Sequence, residues 1–239
     1  MEKVKQATAG AVAQFWKVWK IILFLYAFIL LFFWVLQTIS RSSDNITLSY
    51  FTRDISSIGH LPFFAGLVSQ LGGLLWSAAL VVCIFTYSIL KSLDPNARAS
   101  RRYLFQAAIL TGVLVLDDFF LFHEDIGPDY LNLSEKAIVF FYLVLSVLFM
   151  ITNRKEILTT EYLILGLAFL MFGLSIFVDA ADLEEFDRYG LFFTEQFQIF
   201  LEDGFKFLGV ATWLLYFARY GYQKIVALTT GNPIPGQVR

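Results

Sequence analysis

Two acidic pairs lie inside apolar stretches of this chain and are its strongest indication of chemistry. Asp117 and Asp118 interrupt one apolar run, and Glu202 and Asp203 interrupt another. A charged side chain within a membrane span costs about 2.5–3.5 kcal/mol on insertion scales, so such residues usually face a polar interior and mark a site. Carboxylates in such a place can bind cations or exchange protons. The two pairs therefore predict a cation- or proton-binding site.

Several further polar side chains are predicted to belong to the same site. Lys206 follows Glu202 by one helical turn and is the predicted charge partner of the acids. Asp179 lies at the outer end of a neighbouring predicted helix and joins the cation-binding set. The supporting residues lie near the acidic pairs on the same helices or on polar stripes of the second and fifth predicted helices, and they are His123, Glu124, Ser175, Gln198, Ser69 and Gln70.

A metal ion is a second candidate occupant of this site. Asp117, His123, Glu202 and Asp203 offer a ligand set for a divalent cation, and a bound metal would activate water for hydrolysis. The set is mostly oxygen, which favours Ca²⁺ or Mn²⁺ over Zn²⁺. The single cysteine, Cys83, excludes an intrachain disulfide and a cysteine-based metal cluster. No residue can be assigned a catalytic role from the sequence.

The composition places these residues in a membrane protein. Hydrophobic residues make up 58% of the 239 residues and charged residues 16%, whereas about 25% is usual in a soluble domain. The runs 21–36 and 61–90 contain no Asp, Glu, Lys or Arg, and apolar runs of about 18 residues or more are typical of membrane helices. We expect a multi-pass protein of a bacterial inner membrane or a plasma membrane, with the lipid bilayer as partner and no nucleic acid. Oligomers or partner subunits stay open.

The predicted fold class is all-α, a polytopic transmembrane bundle of six helices. Residues 1–228 form the predicted membrane domain, and residues 229–239 form a flexible cytoplasmic tail. The first apolar run is predicted to be a permanent helix rather than a cleaved signal, because it starts after about twenty residues and is long. The six predicted spans are 14–38, 61–90, 103–123, 136–153, 161–180 and 195–220.

The charges predict how this bundle is oriented. Of the 18 lysines and arginines, 13 fall on the side that carries both termini, four fall on the other side, and Lys206 lies within the last helix. The positive-inside rule therefore predicts cytoplasmic termini. Sixteen of the 20 acids fall on the opposite side or in the outer half of a helix. That distribution predicts an outer mouth with a negative potential, which concentrates cations.

Helical spacing predicts which helices surround the site. Glu124 follows Asp117 by seven residues and would share its helix face. Small residues along the second predicted helix favour close helix packing. We expect the second, third, fifth and sixth helices to enclose one pocket that opens outward, and the almost wholly apolar first and fourth helices to face lipid.

Two resemblances bear on function. The third predicted helix is rich in Asp and ends in His123-Glu124, and the acidic pair Glu202-Asp203 opens the last helix. This pattern resembles an uncharacterised family of bacterial six-span integral membrane proteins. The run Phe119-Phe-Leu-Phe-His123 also resembles the alkaline ceramidase superfamily, in which the last helix carries His-x-x-x-His and completes a zinc site. That resemblance implies metal-dependent lipid hydrolysis. Only His123 matches, because Glu202 or Asp203 and Lys206 stand where the last-helix ligands would be.

Three functions follow from these observations. The first is binding of cations or protons, with translocation of ions or protons as its purpose. The second is a membrane-embedded metal-dependent lipid hydrolase. The third is a structural or assembly subunit in which the acids only hold helices together.

Overall fold

The structure is a computed structural model that describes residues 2–42, 51–53, 55–62, 64–181 and 195–230. Its described residues are helical or lie in turns, with no strand among them, which confirms the all-α prediction. The chain divides into two compact units, Met1–Ala65 and Gly66–Arg239, which we describe separately.

The described residues of the first unit contain one long helix. Helix α1 spans Glu2–Arg41, and a single helical turn follows at Ile55–Ile58. The segment Ile22–Arg41 of α1 is long and apolar enough to cross a membrane. Large apolar side chains point outward along it, such as Phe24, which is 76% exposed within the chain. Such a surface suits a lipid environment.

The described residues of the second unit form five long helices. These are α2 (Leu67–Leu93), α3 (Arg98–Phe120), α4 (Glu135–Ile157), α5 (Tyr162–Ala180) and α6 (Glu195–Thr230). A π-helical turn, Phe122–Ile126, and a short helix, Gly127–Leu131, connect α3 to α4. Helix α6 packs against α5 and α2, α2 packs against α3, and α3 packs against α4.

Membrane character is visible in five of the described helices. The apolar part of α1 and helices α2 to α5 are each long and apolar enough to span a bilayer. Helix α6 is not among them, since acidic and basic residues recur along its 36 residues. The chain is therefore a helical protein with several candidate membrane spans.

Helix boundaries differ from the prediction at the site. Helix α2 begins at Leu67 rather than at residue 61, after Gly66 in the left-handed conformation with φ of 67°. Helix α3 ends at Phe120 rather than at residue 123, because Leu121 is left-handed with φ of 50°. Helix α6 ends at Thr230, two residues into the predicted tail, whose residues 231–239 lie outside the described part of the chain.

An aromatic cluster fills the middle of the second unit. Trp76 of α2 stacks on Phe172 of α5, with ring centroids 5.4 Å apart and ring planes 6° apart. Trp213 of α6 meets both rings edge-on at 6.1 and 6.3 Å. The Trp213 indole N–H also donates to Thr111 Oγ1 of α3 at 3.1 Å. We call Trp76, Phe172 and Trp213 the aromatic floor, because they line the bottom of the cavity described below.

Two glycines permit the helices to approach at this level. A Cβ at Gly73 would lie 2.8 Å from the Phe119 ring, and a Cβ at Gly209 would lie 2.6 Å from the Phe172 ring. Contacts under 3.0 Å force one partner to move. The ring of Phe172 is held by its stacking on Trp76, so the absence of a side chain at Gly209 brings α6 onto α5.

Candidate functional site

A cavity of about 430 Å³ lies between α3, α4, α5 and α6, above the aromatic floor. Both predicted acidic pairs line it. Among the described residues, seven carboxyl groups face this space with one lysine and one histidine, and the carboxyl groups come from Asp117, Asp118, Glu124, Glu135, Asp179, Glu202 and Asp203. We call this space the acidic cavity. The acids Glu202 and Asp203 and the lysine Lys206 are all on the first three turns of α6.

The carboxylate of Asp117 is held by three hydrogen bonds within the fold. It accepts from the His123 backbone N–H at 3.0 Å and from the Tyr142 hydroxyl at 2.8 Å, and it pairs with His123 Nδ1 at 2.7 Å. Only 8% of Asp117 is exposed. These three bonds join the end of α3 to the turn that follows and to α4. The geometry gives Asp117 a structural role at the wall of the cavity.

The turn after α3 explains where His123 points. Leu121 reverses the backbone after α3, and the π-helical turn then brings the His123 backbone N–H and ring back to Asp117. The hydrogen bond to Asp117 raises the pKa of His123 above its ordinary value, although burial acts in the opposite direction. The second ring nitrogen, Nε2, lies 3.4 Å from Glu124 Oε1.

This turn corrects one geometric expectation. Because α3 ends at Phe120, Glu124 does not continue the helix face of Asp117. It nevertheless lines the acidic cavity, because the π-helical turn carries it there.

Lys206 forms an ion pair with Asp118, the second acid of α3. Its Nζ lies 2.6 Å from Asp118 Oδ1, and the side chain of Asp118 is 9% exposed. A small void of about 30 Å³ beside this ion pair is lined by Ser69 and Gly72 of α2 and by Asp203. Ser69, predicted as a supporting residue of the main site, faces this void and not the acidic cavity.

Three other acids of the cavity lack the partners that the two acids of α3 have, and they are Glu202, Asp203 and Asp179. All three line the acidic cavity, yet none forms a hydrogen bond or an ion pair with another described residue. Glu202 is half-buried, whereas Asp203 and Asp179 are exposed. The described part of the chain therefore leaves three carboxylates facing one space with no cation assigned to them.

The remaining predicted supporting residues separate into two groups. Ser175 lines the acidic cavity and is 7% exposed. Gln198 instead donates to the backbone oxygens of Val178 and Ala181, at 3.0 and 3.2 Å, and so caps the end of α5. Gln70 lies on α2 and lines neither the acidic cavity nor the small void.

Helix α4 contributes to the site, contrary to the expectation that it faces lipid. Glu135, Tyr142 and Ser146 line the acidic cavity, and the Tyr142 hydroxyl binds Asp117. The sequence carried a signal for this. Glu135, Tyr142, Ser146 and Asn153 recur at intervals of seven, four and seven residues, which is a polar stripe along one helix face. Helix α2 contributes only Trp76 to the cavity.

The four predicted metal ligands are not gathered into one metal-binding group in the part of the chain that the structure describes. No group of three or more His, Cys, Asp or Glu side chains with metal-binding geometry exists among residues 2–42, 51–53, 55–62, 64–181 and 195–230. Asp117 holds His123 Nδ1, while Glu202 and Asp203 lie on α6 with no hydrogen bond to either. The arrangement offers no support for the ceramidase-type zinc centre.

A second polar cluster lies at the other end of the same helices. Glu156 Oε1 accepts from Ser100 Oγ at 2.8 Å and from the Tyr220 hydroxyl at 2.7 Å, and it lies 2.9 Å from Lys224 Nζ. We call these four residues the Glu156 cluster. It joins α3, α4 and α6, and no sequence pattern identified it as a unit.

Comparison with known proteins identifies a family. No curated protein and no solved structure gives a significant match to the chain. Residues 20–220 match the family model described as Domain of unknown function (DUF8692), so the chain belongs to that family.

Proposed function

We propose that this protein is a multi-pass membrane protein that binds a cation in the acidic cavity. One observation carries the proposal. Asp117 and Asp118 have their positive partners in His123 and Lys206, whereas Glu202, Asp203 and Asp179 face the same cavity with none among the described residues. Carboxylates so close together repel one another unless they share a cation or a proton. A cation between α5 and α6 would relieve that repulsion.

The cation would be attracted by the acids that the described fold leaves without partners, and not all three would be its ligands at once, because no group of three such side chains with metal-binding geometry exists among the described residues. Glu202 and Asp203 follow each other on α6, and Asp179 lies near the end of α5. Lys206 would compete with the ligand only weakly, since its ammonium is already 2.6 Å from Asp118. In this proposal Asp117 and Asp118 shape the site and do not bind the ligand directly.

Translocation of ions or protons is the purpose we propose for this site. The aromatic floor lies below the cavity, and the polar groups further along the helices include Asn153, which donates to Gln106 Oε1 at 2.7 Å, and the hydroxyls of Tyr103 and Tyr216, which are 2.8 Å apart. Passage would therefore require the floor to open, so a transporter that exposes the site to each side in turn fits better than an open channel. Flux of the bound cation into liposomes that contain the purified protein tests this step.

The topology we propose has six spans with cytoplasmic termini. Helix α6, at 36 residues, is about 54 Å long at 1.5 Å per residue, which exceeds the bilayer core of about 30 Å. It packs against the candidate spans α2 and α5. Labelling of single cysteines at positions 98 and 129, in a background with Cys83→Ser, would place the two positions on opposite sides. Labelling from one side would contradict this topology.

Calorimetric titration of the detergent-purified protein tests cation binding. The probes are Na⁺, K⁺, Ca²⁺, Mn²⁺ and ethanolammonium, each as the chloride. Binding of at least one should be lost in Glu202→Gln combined with Asp203→Asn, while Asp129→Asn, a matched change at an exposed acid, should leave it intact. Equal binding by both variants, or no heat from any cation across pH 5–8, would contradict the proposal and favour a structural role for the acids.

A further inference from the structure

A second, largely apolar cavity adjoins the acidic cavity. It has a volume of about 660 Å³ and lies between the His123 end of α3, the turn after it and the first half of α4. Its lining is apolar apart from Asp117 and Tyr142. We call it the apolar groove. Leu116, Phe120 and Phe141 line it while remaining 58%, 61% and 54% exposed, so the groove is open on the outer surface of the bundle.

The sequence builds this groove by separating α3 from α4. The π-helical turn and the short helix Gly127–Leu131 lie between the two helices. Gly127 packs so tightly on α4 that a Cβ there would lie 2.1 Å from Ile138 Cδ1. The connection is thus fixed against α4 at Ile138, which itself lines the groove.

The two cavities share a wall. Asp117 and Tyr142 line both, and they are joined by the hydrogen bond from the Tyr142 hydroxyl to Asp117 Oδ1, at 2.8 Å. On one side of this pair lie the unpartnered carboxylates of α5 and α6, and on the other lie aliphatic and aromatic side chains. A ligand that occupied both would need an apolar chain joined to a positively charged head.

We infer that the acidic cavity and the apolar groove together bind one membrane lipid whose headgroup carries an ammonium group. The inference rests on the proposed function and names its ligand class. The acyl chain would lie in the groove, which opens where a bilayer would supply it. The ammonium would reach past Tyr142 towards Glu202 and Asp179. An inorganic cation would use the acids alone and would leave the groove without a role.

Charge complementarity favours this occupant over other lipids. At least seven carboxyl groups of the described residues line the acidic cavity, so a headgroup of net negative charge would be repelled more strongly than a zwitterionic headgroup whose ammonium enters the cavity. A buried ammonium near carboxylates and the aromatic rings of the floor gains both ion pairing and cation–π attraction. Trp76 and Trp213 are both at the bottom of that cavity.

The test compares two lipids with identical acyl chains. Native mass spectrometry of the purified protein would measure binding of dioleoyl phosphatidylethanolamine and dioleoyl phosphatidylglycerol, and calorimetry would measure binding of free ethanolammonium. We expect the ethanolamine lipid to bind at least about tenfold more tightly than the glycerol lipid, a difference of about 1.4 kcal/mol. Equal binding of the two lipids would overturn the inference.

A matched pair of substitutions tests the groove. Leu116→Trp fills it, whereas Leu148→Trp makes the same change on α4 outside both cavities at a similar exposure of 53%. Leu116→Trp should weaken binding of the ethanolamine lipid about tenfold and leave ethanolammonium binding unchanged, and Leu148→Trp should change neither. Equal lipid binding by the two variants would refute the groove as the chain site.

The outcomes separate this inference from the proposed function. Ethanolammonium binding that is lost in Glu202→Gln, without a preference between the lipids, keeps the cation site and rejects the lipid. If no cation binds and neither lipid is preferred, both proposals fail. Retention of both lipids by Leu116→Trp and by Glu202→Gln alike would indicate adventitious lipid only and would reject the inference.

Discussion

At one end of the bundle, the single carboxylate of Glu156 meets two hydroxyls and an ammonium. At the other end, seven carboxyl groups of the described residues line a cavity together with one lysine and one histidine. Both regions are built from α3, α4 and α6, and both include residues that are costly to place in an apolar surrounding. They differ in how many donors the fold supplies to each acid.

The difference shows what each region can do. In the Glu156 cluster every polar group meets a partner inside the fold, so the cluster holds helices together and has little capacity for a ligand. In the acidic cavity Asp117 and Asp118 pair with His123 and Lys206, and Glu124 lies 3.4 Å from His123 Nε2, whereas Glu202, Asp203 and Asp179 have no partner among the described residues. The balance of donors and acceptors, more than the presence of acids, distinguishes a structural cluster from a binding site.

The largest loss of stability is expected in the Glu156 cluster, where every polar group has a partner inside the fold. Glu156→Ala would leave the Lys224 ammonium and two hydroxyls without their acceptor. Breaking a buried ion pair on one side costs about 3–5 kcal/mol. Glu202→Gln removes a carboxylate that has no described partner and relieves its repulsion by the neighbouring acids, so it should leave the free energy of unfolding unchanged or raise it. Denaturant unfolding in detergent measures both, and equal losses would remove the distinction between the two regions.

The aromatic floor that separates the two regions provides the next test. Gly209→Ala would force the Phe172 ring away from Trp76, which should cost about 1–3 kcal/mol. Gly204→Ala, on the same helix with open space around its Cβ, should stabilise by about 0.5–1 kcal/mol. Thermal unfolding of the two variants checks the contrast. A stabilised Gly209→Ala protein would show that α5 and α6 are not packed at this point.

The pairing of His123 with Asp117 should make the free energy of unfolding depend on pH. The pKa of His123 is raised in the folded state, so the pair's contribution is complete below about pH 6.5, the unfolded value. It is lost as the pH rises through the raised folded value. We expect the stability difference between the parent protein and His123→Asn to shrink from about 1.5 kcal/mol as the pH increases.

The only other histidine supplies the control for that experiment. His60→Asn should show no comparable trend, because His60 lies outside the acidic cavity. A stability difference for His123→Asn that stays constant from pH 5 to 9 would mean that the pair does not depend on protonation of the ring.

The smallest effect is expected at the wall between the two cavities. Tyr142→Phe removes one of the three bonds to Asp117 and should cost about 1 kcal/mol. Tyr130→Phe, at a side chain that is 79% exposed, should cost close to nothing. Thermal unfolding compares them, and equal melting temperatures would show that the Tyr142 hydroxyl does not hold the wall.

The composition and the helical spacing of polar residues predicted an all-α membrane protein. They also predicted that the two acidic pairs line one cavity. They could not predict that Asp117 is paired with His123 whereas Glu202 has no described partner, because the pairing depends on the left-handed residue Leu121 and on the turn after it. The polar stripe that includes Tyr142 was readable, yet the apolar residues between its members made α4 resemble a lipid-facing helix. The Glu156 cluster needs the approach of α3, α4 and α6, which no local pattern in the sequence contains.

The central claim is that Glu202 binds a cation while Glu156 serves the fold. The most direct test measures the cation-induced rise in melting temperature for the parent protein, Glu202→Gln and Glu156→Gln in parallel, with the best-binding cation of the calorimetric panel. We predict that Glu156→Gln melts at a lower temperature than the parent but keeps the rise, and that Glu202→Gln melts no lower than the parent and loses the rise. A rise that survives in Glu202→Gln, or one produced by an anion instead, would contradict the account.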